Sequence, residues 1–262
     1  MPNEYARVES VAYYSNLWCR GSFMSQMADR NPCVVLVPVN GVVEPACEDG
    51  LRELERRGYV VRRVRGYAAI DQGRCQMATD ALADGFTETM WIDADIGFRP
   101  EDVERLRSHK LPLVSAIYPK KGRREVACHV LPGTDKLVFG QEGGLVELLY
   151  AATGFLHVRR EVYVAMQEQL HLPLCNGEFA GRPLCPYFQP MVRPHGQGYW
   201  YLAEDFAFCE RARQCRFRIF ADSTVRLRHY GAYGFTWEDA GIEPPRFGTF
   251  HFHLKDPNPG EQ

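Results

Sequence analysis

The sequence predicts an α/β fold with a mostly parallel central sheet and helices on both of its faces. Two observations carry that expectation. Short continuous apolar runs stop at turn residues, the pattern of strands buried on both sides. Through the first 120 residues these runs alternate with segments of helical periodicity. Downstream the alternation breaks up, and a smaller antiparallel element is expected there.

The first strand is "CVVLVPVNG" (33–41), ended by Asn-Gly. "ACEDGLRELERRG" follows as a helix, with Leu51 and Leu54 inward and Gly58 as its stop. "YVVRRV" is the second strand. "DQGRCQMATDALADG" reads as a helix capped by Asp71, buried along Met77, Ala78, Ala81 and Leu82, and ended by Gly85. "TMWID" is the third strand, Pro100 opens the helix "PEDVERLRS", and "LVSAIY" is the fourth strand.

In the second half, "VACHVL-PGTD-KLVFG" predicts a hairpin around a Pro-Gly turn. "LVELLYAATGFLHV" supplies one or two strands and "EVYVAMQEQL" a helix. Residues 171–200 are rich in Pro and Gly, with Phe179, Tyr187, Phe188, Tyr199 and Trp200 among them. A long aromatic loop of this kind is expected to be functional. "AEDFAFCERARQ" is a helix, and "FRIFAD" and "VRLRHYG" are strands.

The 262 residues are 45% hydrophobic and 24% charged, with a formal net charge of −2. That composition fits a globular protein with a sizeable core and gives no overall field toward nucleic acid or membrane. Basic runs such as "PKKGRR" are local. No apolar run has the length of a membrane span, and the N-terminus lacks the pattern of a secretory signal. Nine scattered cysteines without C-x-x-C predict reduced thiols and a cytoplasmic location. Cys175, Cys185, Cys209 and Cys215 are the weak candidates for a zinc site.

The stretch "MWIDADIGF" (90–98) poses the functional question. A buried strand ends in Asp93 and Asp95, at the edge where open α/β sheets bind ligands. Two carboxylates in one crevice repel each other unless a cation lies between them. Oxygen ligands suit Mg2+ or Mn2+, which keep positions open for phosphate oxygens. The competing structural reading has an aspartate simply capping the next helix. Glu204 and Asp205 open a helix, either to favour its dipole or to present a general base. His229 ends a strand, either as a packing histidine or as a metal ligand.

These segments, in this order, resemble a nucleotide-sugar glycosyltransferase of the GT-A fold, close to its family-2-like group. The resemblance covers roughly residues 33–231. It implies one catalytic domain over 32–231, an extension packed on it over 1–31, and a tail over 232–262 that closes on the active site. "VVLVPVNG" is similar to the first nucleotide-binding strand, which implies donor contacts at Pro38, Val39 and Asn40. "DQGRCQMATDAL" resembles the helix beside the nucleotide, with Arg74 as the basic residue and Cys75 where the family often has Asn. "WIDADIGF" resembles the D-x-D strand, which implies donor contacts at Asp93 and Ala94 and a metal held by Asp93, Asp95 and His229. "AATGFLHVRREV" resembles the glycine turn beneath the donor sugar, placing Gly154 there. "AEDFAFCERA" resembles the acidic helix, with Asp205 as base and Glu204 beside it. The Q-x-x-R-W element of processive relatives is missing.

The expected chemistry is transfer of a sugar, from a UDP-sugar by preference, to an acceptor hydroxyl with inversion. Mn2+ or Mg2+ would neutralise the leaving diphosphate, helped by Arg74 or Lys120. The acceptor is expected to be a carbohydrate or another hydroxyl compound, with a modified DNA base as a remoter option. A nucleotidyltransferase is the rival enzyme, although "VPVNGVVEPAC" lacks its basic glycine-rich loop. A non-catalytic carbohydrate- or nucleotide-sugar-binding protein is the rival from another class.

Overall fold

Strand β1 (Cys33–Pro38) shows why the chain builds a layered sheet. Val34 and Leu36 belong to one hydrophobic cluster, while Cys33, Val35 and Val37 belong to another. A strand that is apolar at every position must be covered on both faces. The computed structural model describes residues 31–122, 125–180, 182–240 and 249–254. The expected N-terminal extension lies outside them, apart from Asn31, as do 241–248 and 255–262 of the expected tail.

After β1 come α1 (Pro45–Arg56), β2 (Val60–Val64), α2 (Ile70–Ala83), β3 (Glu88–Ile92) and the short β4 (Ile96–Gly97). Then follow α3 (Pro100–Ser108), β5 (Leu113–Ser115), β6 (Cys128–Val130), β7 (Lys136–Gly140), β8 (Leu145–Ala151) and β9 (Phe155–Arg159). The rest is α4 (Arg160–Gln169), the strands β10 (Met191–His195) and β11 (Gly198–Leu202), α5 (Glu204–Gln214), β12 (Ile219–Asp222), β13 (Arg228–Tyr230), β14 (Gly234–Phe235) and β15 (Thr249–His253). No described helix is long and apolar enough to cross a membrane.

The main sheet has eight strands in the order β2-β1-β3-β9-β5-β12-β8-β6. Leu51 and Leu54 of α1 and Val103 and Leu106 of α3 cover one face. Ala78 of α2, Val162 of α4 and Phe208 of α5 cover the other. Helices therefore lie on both faces, as expected. Six of the eight strands point the same way, and β8 and β9 run against them. β1 runs parallel to β2 and β3, and β5 to β12, but β9 is antiparallel to β3 and β5, and β8 to β12 and β6. A run apolar on both faces reads the same in either direction, so the sequence could not reveal the reversal.

Three local expectations are corrected. The strands flanking the Pro-Gly turn do not pair with each other: β6 joins β8, and β7 joins β15 over a five-residue register. Asp71 lies in the first turn of α2, where its charge favours the helix dipole, while Ala69 takes the cap position. The segment 171–200 is not one long loop, because β10 and β11 form a hairpin. Its aromatics also divide. Tyr187 and Phe188 are core, Phe188 stacking on Phe208 at 4.3 Å, while Tyr199 is exposed and Trp200 half-buried. The side chain of Phe179 lies outside the described residues.

Candidate active site

The end of β3 is anchored before it does any chemistry. The Asp93 N–H donates to the Gly154 carbonyl at 2.9 Å, joining β3 to the start of β9. The Gly154 N–H in turn donates to the Tyr118 hydroxyl at 3.0 Å. A Cβ on residue 154 would meet that hydroxyl at 2.2 Å and Asp93 Oδ2 at 2.9 Å, so only glycine lets the three come together. Beneath them Trp91 is fixed by its N–H donated to Tyr163 at 2.9 Å. Its ring lies under the Arg74 guanidinium at 5.6 Å.

Arg74 is 2% exposed and holds two carboxylates. Its Nη2 donates to Asp93 Oδ1 at 2.7 Å, and its Nε lies 3.8 Å from Glu204 Oε1. The expected contact of Arg74 with a diphosphate would use its Nε and Nη1, which are buried without hydrogen-bond partners. Arg74 sits behind the two carboxylates, and its charge offsets their mutual repulsion.

Asp95 and His229 form the open part of the site. β13 pairs with β4, and the Tyr230 N–H donates to the Asp95 carbonyl at 2.8 Å, which sets the register. The Nδ1 of His229 lies 2.9 Å from the Pro119 carbonyl. A carbonyl can only accept, so Nδ1 carries the proton and Nε2 presents its lone pair. That lone pair faces Asp95 Oδ1 at 3.6 Å, and Oδ1 is buried without a hydrogen-bond partner. Two ligands bound at roughly 2.1 Å to one ion stand ~3.0 Å apart at a right angle and ~4.2 Å apart in line. The observed spacing falls between those limits, and the backbone-anchored ring nitrogen is the usual companion of a ligating one. The residues thus fit a divalent ion held by Asp95 and His229. Asp93 does not join them in a three-ligand cluster, its Oδ1 being turned to Arg74, so it would reach such an ion through Oδ2 or a bridging water.

Asp205 sits in the first turn of α5, its Oδ1 accepting the Phe206 N–H at 2.8 Å. Burial pushes its carboxyl up to about 6, with the charges of Glu204 and Asp93 adding to the rise and Arg74 opposing it. Glu204 is turned to Arg74, so the neighbouring acids are already divided in their partners. Of the remaining expected residues, Val39 is buried at the end of β1 and its N–H donates to Val64, Pro38 is half-buried, and Asn40 is exposed beyond them. The Ala94 carbonyl accepts the Glu44 N–H at 2.8 Å. Lys120 is paired with Glu125 at 2.7 Å, and it is Lys121 that reaches Asp95 Oδ2.

Sequence reasoning missed Lys121, Tyr118 and Thr153. Tyr118 is fully enclosed, lies edge-on to the His229 ring at 5.1 Å, and has its hydroxyl pushed well above the usual tyrosine range by burial and by Asp93 and Asp205. Thr153, next to Gly154, is buried with its hydroxyl unpartnered. Among the described residues, Arg74, Asp95, Thr153 and His157 alone carry buried side-chain nitrogen or oxygen atoms without partners. Three of those four belong to this crevice or adjoin it in the chain, which is where a bound ligand would supply the missing partners.

A second cluster lies at the other end of β3. Cys33, Glu88 and His157 bring three potential ligand atoms within 4.8 Å of one another, the one such trio among the described residues. Arg107 already occupies its cation position, donating to Glu88 Oε2 at 2.7 Å. Burial pushes the Cys33 thiol up to about 12, which opposes the thiolate that a metal needs. The late cysteines weighed as zinc ligands gather into no such cluster. Cys209 is buried and donates its thiol to the Ala151 carbonyl at 3.3 Å.

No family model and no curated protein matches this chain. Among solved structures it is similar to A197 from STIV, with a TM-score of 0.48 and 15% identity, over 76% of this chain and 85% of that one.

Proposed function

We propose that the chain is a metal-dependent glycosyltransferase of the GT-A type, taking a nucleotide-diphosphate sugar, UDP-sugar by preference, and an acceptor hydroxyl. One observation carries this reading: Asp95 Oδ1, buried and unpartnered, faces the free Nε2 of His229 at the carboxyl edge of the sheet. A bound Mn2+ or Mg2+ there would supply positive charge to a diphosphate leaving group. The protein's own residues do the rest. Arg74 holds Asp93 and Glu204 in place, and Lys121 supplies a mobile cation beside Asp95. Asp205, ionised above a pH of about 6, accepts the proton of the acceptor hydroxyl as that oxygen attacks the anomeric carbon. The bond from that carbon to the diphosphate breaks, and the configuration inverts. A carboxyl poised near neutrality at a helix start suits such a base better than a fully solvated aspartate would.

The test is incubation with a panel of nucleotide sugars and manganese, scoring nucleotide release and transfer. Asp95→Ala is expected to bring both to background while leaving the melting temperature near that of the wild type. Normal turnover by Asp95→Ala with manganese or magnesium overturns the metal site.

A further inference from the structure

Successive side chains of a strand point to opposite faces, and β13 uses both. His229 faces Asp95 and Tyr118. Arg228 and Tyr230 line a separate cavity of about 830 Å³ on the other side. Arg99, Arg105 and Arg226 line it as well. A smaller cavity of about 320 Å³ shares Arg226, Arg228 and Tyr230, so the two adjoin in one trough walled by these residues. Four arginines around one cavity are a local concentration of guanidinium donors.

Three of the four guanidinium groups are braced by carboxylates. Arg105 Nε donates to the fully buried Asp222 at 2.6 Å, and Arg99 Nη2 to Asp102 at 3.1 Å. Arg226 donates through Nε and Nη2 to Glu238 at 3.1 and 2.9 Å. Each brace fixes a fork while leaving other N–H groups free to donate. Arg228, exposed on β13, has no ion-pair partner among the described residues. A braced set with one unpaired member is pre-organised for a multidentate oxyanion, and planar guanidinium forks match pairs of phosphoryl oxygens.

We propose that this trough binds the phosphate groups of a polyanionic chain. The shared chemistry is a run of phosphoryl oxygens, carried either by a free polyphosphate or by a single nucleic acid strand. The volume and the aromatic Tyr230 and Trp237 in its wall suit a chain better than a single ion. The proposal stands apart from the glycosyltransferase reading, since it needs neither the ion nor Asp205.

The test uses the full chain in EDTA, which removes metal-dependent binding of phosphates at the carboxylate crevice. Tripolyphosphate is titrated by calorimetry, and a labelled DNA strand of about 12 nucleotides by fluorescence anisotropy. At least one probe is expected to bind, more weakly as salt rises. Arg228→Gln is expected to weaken that binding roughly tenfold, with Arg228→Lys in between. Arg218→Gln, at the opposite end of β12, should bind like the wild type. Binding of the strand alone assigns a nucleic acid, and binding of tripolyphosphate alone a free polyphosphate. Absence of binding by both probes in EDTA, or equal affinity in wild type and Arg228→Gln, overturns the proposal.

Discussion

At the amino end of β3, Glu88 holds His157 Nε2 at 3.0 Å; beyond its carboxyl end, Asp95 stands 3.6 Å from His229 Nε2. Both pairs join an acid to an imidazole, one at each end of β3, yet their surroundings differ. Glu88 also accepts from Arg107, and although burial alone would raise its carboxyl, these hydrogen bonds outweigh it and bring it down to about 2. Its negative charge is fully used by the protein. Asp95 has one oxygen on a flexible, half-exposed lysine and the other without a partner. In the Glu88 pair the second ring nitrogen, His157 Nδ1, is left unpartnered, whereas in the Asp95 pair it is anchored on a carbonyl. An acid–histidine pair therefore signals a ligand site when its charges are left open and its ring is oriented from behind. The same residue types closed by an arginine hold the sheet together.

The largest effect that separates the two ends of β3 is catalytic. Asp205→Asn keeps the Oδ1 acceptor for the Phe206 N–H, so the start of α5 should survive. Transfer should fall by roughly two to four orders of magnitude, the usual worth of a positioned base, with nucleotide-sugar affinity retained. The product anomer, read by NMR, should be inverted. Full activity, or retention of configuration, would remove Asp205 from the mechanism and leave it as a helix-start acid.

Glu88→Gln sharpens the comparison from the other end. The loss should appear in stability, because Arg107 is left without its charge partner and His157 without its carboxylate. A decrease of about 2–3 kcal/mol in urea unfolding is expected, with manganese affinity unchanged. Should Glu88→Gln instead lose manganese affinity while Asp95→Ala keeps it, the assignments of the two ends must be exchanged.

His229→Ala makes a smaller change at the open end. Its ring contributes one ligand and packs edge-on against Tyr118, so manganese affinity by calorimetry should fall by roughly 10- to 100-fold. His251 and His253 in "HFHLK", exposed on β15, are the other imidazoles that could replace it as ligands. Unchanged affinity in His229→Ala, with loss in either of those, would move the site to that strand.

Much of this framework was legible in the sequence, and the limits are physical. The α/β alternation through α3 showed because strand runs such as "CVVLVP" and helices such as α1 have distinct apolar periods. The grouping of Asp93, Asp95, Glu204, Asp205 and His229 was implied by the resemblance that their segments carry together, while each residue alone left its structural reading open. The direction of β9 did not, since a strand apolar on both faces carries no direction. The partners of β6 and β7 were hidden because the better ladders come from strands far away in the chain. Lys121 was passed over for Lys120 because adjacent lysines differ only in which way the backbone aims them. Arg74 as a buried brace was invisible without knowing that Trp91 lies beneath it. Tyr118 carried no motif at all.

The smallest expected effect concerns the stability cost of keeping Asp205 ready. Its folded carboxyl titrates at about 6, above the ordinary aspartate value of 3.8. The folded state therefore binds this proton more tightly than the unfolded chain does. The stability linked to that proton is fully present below pH ~4 and is lost as the pH rises through ~6. Above that range the ionised group is a burden that Asn does not share. Asp205→Asn should accordingly be more stable than the wild type at pH 7.5, by about 1–2 kcal/mol, with the difference shrinking toward zero near pH 4. Glu88 contributes in the opposite sense: its lowered value means that stability is lost as the pH falls from ~4.5 toward ~2, in wild type and variant alike, so it cancels in the comparison. Denaturant unfolding of both proteins across pH 4 to 8 measures the difference directly. A constant gap over that range, or a wild type more stable at neutral pH, would mean that the acid of α5 is not strained. The contrast between an open, costly end of β3 and a closed, stabilising one would then rest on Asp95 alone.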